Sequence, residues 1–155
     1  MTDKPLAIFA VDPGLTTGWA VLLEPMHFAC GEAGESHFPF LADRWLSEAV
    51  GEYGEENILV VCERFIINAG TAKKTQAPWS LEQIGALRYL CRLHRVELVL
   101  QSPGEAKSFS TNDKLKTLGW YAPSTGGHQA DAARHLLLAA ARLRVIDPRV
   151  FLKEA

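Results

Sequence analysis

The sequence predicts an α/β fold, a five-stranded mixed sheet flanked by helices, on three observations. Two runs of five apolar residues, Ala7 to Val11 and Ile58 to Cys62, read as strands buried on both faces. Two shorter apolar segments follow the first run across tight turns, as in an antiparallel meander. Segments of helical period fill the intervals after them, giving strands first and then alternating helices and strands.

Taken in order, Ala7 to Val11 is the first strand, closed by Asp12 and turned by Pro13-Gly14. After a turn at Gly18, Trp19 to Leu23 is the second strand, and Pro25-Met26 leads into a third, His27 to Cys30. From Pro39 to Tyr53, Phe40, Leu41, Trp45, Leu46, Ala49 and Val50 recur at helical spacing, and Gly51 and Gly54 stop the helix. Ile58 to Cys62, ending on Glu63, is a fourth strand parallel to the first. Residues 66–78 carry Lys73 and Lys74 among small residues with no period, a basic loop. Pro78 to Arg95 is a long amphipathic helix with Ser80 as its cap and a stripe of Leu81, Ile84, Leu87, Leu90 and Cys91. Val96 to Leu100 is the fifth strand. Asn112 to Leu118 is a short helix, Tyr121 to Gly127 a loop, and His128 to Leu143 the last helix; Asp147-Pro148 ends the regular structure.

The chain, residues 1–155, fits one domain with a core of its own. No segment is apolar over the length a membrane span needs, and the N-terminus lacks the layout of a secretory signal. Cys30, Cys62 and Cys91 share no CxxC spacing, which points to buried thiols in a reducing cytoplasm. The net charge of −2 does not announce a nucleic-acid binder, although an acidic site would mask a basic face in the sum.

An acid at the end of a buried strand is costly unless a metal, a cation or backbone donors meet it. Two parallel strands ending in Asp12 and Glu63 put both carboxylates on one sheet edge, where open α/β sheets build their sites. His128, Asp131 and His135 share one face of the last helix and interrupt a segment that is otherwise core. Three carboxylates and an imidazole in an apolar setting call for cations, and hard oxygen donors suit Mg²⁺ or Mn²⁺. Two such ions roughly 4 Å apart can activate a water and stabilise the leaving oxygen of a phosphodiester. His135 reads as a satisfied core or supporting histidine. Arg88, Arg92 and Arg95 read as a solvated helix face, and Trp45 and Trp79 as core or subunit contacts.

Asp12-Pro-Gly-x-Thr-x-Gly18, the strand-terminal Glu63, and a last helix in which Asp131 precedes two alanines resemble the RuvC group of the RNase H-like superfamily. Ser102-Pro-Gly-Glu-Ala-Lys107 is similar to that family's Pro-x-x-x-Lys segment, and Lys114 falls where a further lysine is expected. The resemblance runs from about residue 6 to 140. It implies an RNase H-like fold, a homodimer, two Mg²⁺ ions per site with Mn²⁺ as a substitute, and paired nicking of four-way DNA junctions. Asp12, Glu63, His128 and Asp131 would be ligands and catalytic groups. Lys73, Lys74, Lys107 and Lys114 would contact DNA phosphate, and Phe65 is the nearest candidate for the aromatic wedge that the family places after its second acid. The helix from Trp79 is the expected dimer element. Bacterial members usually have Asp at the position of His128; a His-x-x-Asp pattern resembles the RuvC domains of CRISPR effector nucleases. In compactness and departures the chain looks more like a phage-encoded member than the bacterial housekeeping enzyme.

Three rivals stand beside this reading: a nuclease-fold protein that binds junctions without cutting, a nuclease for other branched or RNA-containing substrates, and an actin-like ATPase. The ATPase ranks low because one such domain and one Gly-rich turn do not enclose a nucleotide.

Overall fold

The computed structural model describes residues 4–70 and 77–152. Its sheet has five strands, β1 (Ala7–Asp12), β2 (Thr16–Leu23), β3 (His27–Gly34), β4 (Ile58–Glu63) and β5 (Glu97–Gln101), in the order β3-β2-β1-β4-β5. The first three are antiparallel, and β4 and β5 run parallel to β1, as the sequence predicts. The helices are α1 (Phe38–Tyr53), α2 (Ala77–Leu93), α3 (Pro103–Phe109), α4 (Asn112–Leu118) and α5 (His128–Arg142). No helix among the described residues is long and apolar enough to cross a membrane.

Side chains alternate across a strand, so each central strand serves two cores. Phe9 and Val11 of β1 with Ile58, Val60 and Cys62 of β4 meet Phe38 and Leu46 of α1 and Leu87 of α2. Ile8 and Ala10 with Leu59 and Val61 meet Leu136 and Leu137 of α5 and Leu115 of α4. By the same parity Asp12, Glu63 and Gln101 stand on the α5 side. Val11 lies opposite Cys62 and Glu63 opposite Gln101, so the three parallel strands end level.

Several boundaries differ from those predicted. Gly18 lies within β2, paired with Asp12, and the hairpin turn is Pro13 to Leu15. Thr17 is fully buried there; its hydroxyl donates to Gly14 O and accepts from Gly14 N. β3 runs four residues past Cys30, because backbone pairing with β2 carries a segment whose Gly and Glu content hides a strand. Phe38 is the buried anchor of α1, and Phe40 is 74% exposed. Ser80 is no cap: it is buried within α2 and its Oγ donates to Pro13 O at 3.0 Å, tying helix to turn. Leu81 is exposed rather than part of the buried stripe. A 3₁₀ turn, Pro148–Phe151, continues past the predicted end. Of the thiols, Cys62 and Cys91 are buried, and burial pushes Cys91 up to about 12; Cys30, on an edge strand, is half-exposed.

Candidate active site

The site is the level edge at which β1, β4 and β5 end, roofed by the first two turns of α5. Gly18 makes the roof possible: a Cβ there would stand 2.0 Å from the carbonyl oxygen of His128, so β2 meets the start of α5 backbone to backbone. That contact brings His128 over Asp12, and its Nδ1–H donates to Asp12 Oδ2 at 2.9 Å. The start of α5 is also held from β3, where Glu32 accepts from Gln129 N at 3.3 Å and from Ser124 Oγ.

Each acid has its own partner from α5. Asp12 has His128. Glu63 Oε2 meets His135 Nε2 at 2.9 Å, and the other ring nitrogen of His135 meets Gln101 Oε1 at 2.9 Å. Asp131 Oδ1 accepts from Arg134 Nη1 at 2.8 Å, and Arg134 also donates to Asn112 Oδ1 on α4. Burial raises the Asp12 carboxyl above the usual range; the His128 hydrogen bond opposes this, while Glu63 and Asp131 push the same way as burial. His128 is raised above the ordinary imidazole value chiefly by its hydrogen bond to Asp12, with burial opposing.

The structure thus brings Asp12, Glu63, His128 and Asp131 to one edge. It supports the reading of His135 as a satisfied buried histidine. Lys107 is exposed on α3, which leaves the same edge directly after β5. Lys114 is different. Its ammonium donates to Phe109 O at 2.8 Å and lies 4.0 Å from the Phe109 ring, in a cleft with Leu138, Ala141, Arg142 and Pro148. Leu138 is ten residues along α5 from His128, about 15 Å by helical rise, so the cleft beside Lys114 borders the later turns of that helix. Phe65 departs from expectation: it packs against the core beneath α1 and α2, and the exposed apolar residues after Glu63 are Ile66 and Ile67. Lys73 and Lys74 lie outside the described residues.

Arg134, Gln101 and Glu32 were not singled out from sequence, and Ser80 was read only as a helix cap. Their roles rest on contacts across 22 to 97 positions for all but the Arg134–Asp131 pair, whose spacing of three is a readable helical signal.

The donor chemistry fits a hard divalent cation: three carboxylates and an imidazole gather, and a cation would offset both the burial that chiefly raises Asp12 and the added push of Glu63 and Asp131. One oxygen of each acid, Asp12 Oδ1, Glu63 Oε1 and Asp131 Oδ2, makes no hydrogen bond among the described residues. As placed, however, no three acid, thiol or imidazole groups among the described residues form a ready-made metal cage. Cation binding would have to draw the acids together.

No protein-family model matches the chain, and no curated protein matches it by sequence. Solved structures do. RuvC of Thermus thermophilus superposes with a TM-score of 0.61 at 14% identity, over 90% of this chain and 97% of that one. The same protein in complex with a Holliday junction substrate gives 0.60 at 15% identity, with the same coverage. A yeast mitochondrial Holliday junction resolvase, Ydc2, gives 0.47 at 12% identity over 92% and 80%. The two RuvC matches define the class first, an α/β fold of the RNase H-like kind, and within it the RuvC-like arrangement of five strands and flanking helices.

Proposed function

We propose that the protein is a divalent-metal-dependent, structure-selective endodeoxyribonuclease that resolves four-way DNA junctions by paired phosphodiester hydrolysis. The observation that carries this reading is Asp12: a buried carboxylate at the end of a central strand, close enough to Glu63 and Asp131 for both to raise it, in a RuvC-like fold. A RuvC structure of that fold is complexed with a Holliday junction substrate, which supports branched DNA as the ligand.

Asp12, Glu63 and Asp131 would hold the cations, Mg²⁺ or Mn²⁺ and two per site, with His128 as a fourth ligand or as the base. When bound, such ions polarise the phosphoryl group and lower the pKa of a water. The chain supplies the rest. His128 Nδ1–H donates to Asp12, which leaves Nε2 as the ring atom able to take up or release a proton. Lys107, exposed beside the edge, holds a phosphate of the scissile strand. Ile66 and Ile67 replace Phe65 as the apolar tip that meets unstacked bases. A homodimer would supply two sites to match the two-fold symmetry of a junction. Its support is an exposed stripe on α2, Leu81, Gly85, Tyr89 and Leu93, spaced four apart on one ridge.

One observation favours a second reading, a protein that binds junctions without cutting: every acid of the site is already engaged by a protein side chain. Incubating a labelled four-way junction with Mg²⁺, beside duplex, fork and RNA–DNA hybrid, separates the two. Symmetric nicks by the native protein that are lost in Asp12→Asn support the nuclease. Binding without cleavage overturns it.

A further inference from the structure

On the apolar side of α5, Ala132, Ala133, Leu136, Leu137, Ala139 and Ala140 fill the core, and His135 is as deeply buried as they are, 1% exposed. An imidazole in such a face costs free energy unless both nitrogens are paired, and a leucine would pack there without that demand. Both nitrogens are paired, and both partners belong to the sheet edge. Glu63 and Gln101 are register partners on adjacent parallel strands, and His135 reaches down between them to take an oxygen from each at 2.9 Å. Gln101 is itself buried, 4% exposed, and its backbone oxygen accepts from Arg64 N at 2.8 Å, so its strand position is secured beside Glu63. An ionised carboxylate only accepts, so His135 Nε2–H donates to Glu63; the Gln101 amide then accepts from Nδ1 or donates to it according to which way it faces.

We propose that His135, braced by Gln101, is a positioning residue for Glu63. It occupies Oε2, stops the carboxylate from rotating, and presents Oε1 as the single donor that Glu63 offers to a cation. This rests on Glu63 belonging to the metal site proposed above.

The test is the binding of Mn²⁺ alone to DNA-free protein, followed by the electron paramagnetic resonance signal of the free ion, with urea unfolding alongside. Loss of a hydrogen bond that orients a ligand typically costs about 10- to 100-fold in metal affinity. His135→Leu, which keeps volume and removes the donor, is expected to bind Mn²⁺ that much more weakly. His135→Gln, whose amide can still donate to Glu63, restores most of the affinity. Gln101→Met, which leaves His135 in place but unbraced, loses less than His135→Leu and serves as the second variant if His135→Leu does not fold. Equal affinity in native protein and the folded variants overturns the positioning role and leaves the nuclease reading standing. So does a loss in His135→Gln as large as in His135→Leu, since that marks a packing defect. Absence of Mn²⁺ binding by native protein overturns both this inference and the metal-dependent part of the proposed function.

Discussion

The two halves of α5 lie on the same side of the same sheet and do different work. From Leu136 to Ala141 every residue is buried, over Ile8, Ala10, Leu59 and Val61. From His128 to His135 the helix carries His128, Asp131, Arg134 and His135, and beneath it the strands present Asp12, Glu63 and Gly18. The change falls at the last rung of the sheet, where apolar side chains give way to acids, and the helix changes with it. A continuous strand-on-helix packing therefore anchors a polar constellation at its end, with the apolar half holding the helix at the height where the polar half can reach the acids.

Substitutions that strike one half alone break this comparison cleanly. The largest expected effect is on the apolar half. Leu137→Ala removes a fully buried side chain and is expected to lower unfolding stability by about 2–5 kcal/mol. Urea denaturation measures the loss, and junction cleavage per folded molecule at low temperature should stay near native. Asp12→Asn strikes the other half. It is expected to reduce junction cleavage by more than about 100-fold, beyond the range seen when only a supporting residue is changed. Because burial and two neighbouring acids already disfavour the Asp12 charge, the same variant should melt at the native temperature or above it near pH 8. A lowered melting temperature would contradict this.

Gly18→Ala strikes the seat of the polar half, since its Cβ would press on the His128 backbone, which cannot yield as a flexible side chain would. It is expected to cost about 1–3 kcal/mol and to impair cleavage beyond what the unfolded fraction explains. The smallest effect is the pH dependence of the His128–Asp12 pair in metal-free protein. His128 is raised in the folded state, so its contribution to stability is fully present below the unfolded imidazole value of about 6.5 and is lost as pH rises through the folded value. The Tm advantage of native protein over His128→Gln should shrink by a few degrees on going from pH 6 to pH 9. A constant difference would show that the pair does not couple to folding.

Where a pattern lives in neighbouring residues, the sequence was readable. The apolar runs of β1 and β4, the parallel placement of their closing acids, and the start of α5 at His128 all match the structure. Misjudged positions share a cause, a role set by something distant. Phe38 and Phe40 are equally apolar, and only the placement of α1 on the sheet decides which is buried. Ser80 has the chemistry of a cap, but α2 begins earlier and turns its hydroxyl to Pro13. Glu32 was hidden because an edge strand rich in Gly and Glu has little local strand signal, and its pairing with β2 becomes visible only in three dimensions.

The placement of α5 also has a consequence during synthesis. The helix that completes the core on one side of β1 and β4 is made from residues 128–142, long after the strands it covers. A nascent chain ending before it would expose Ile8, Leu22, Leu59 and Val61 as bare sheet and would need shielding from aggregation. The same chain would have Asp12 and Glu63 but lack Asp131 and His128. Completion of the fold and assembly of the site thus become one event, and a folding intermediate that lacks the last helix also lacks two of the four side chains gathered at the sheet edge.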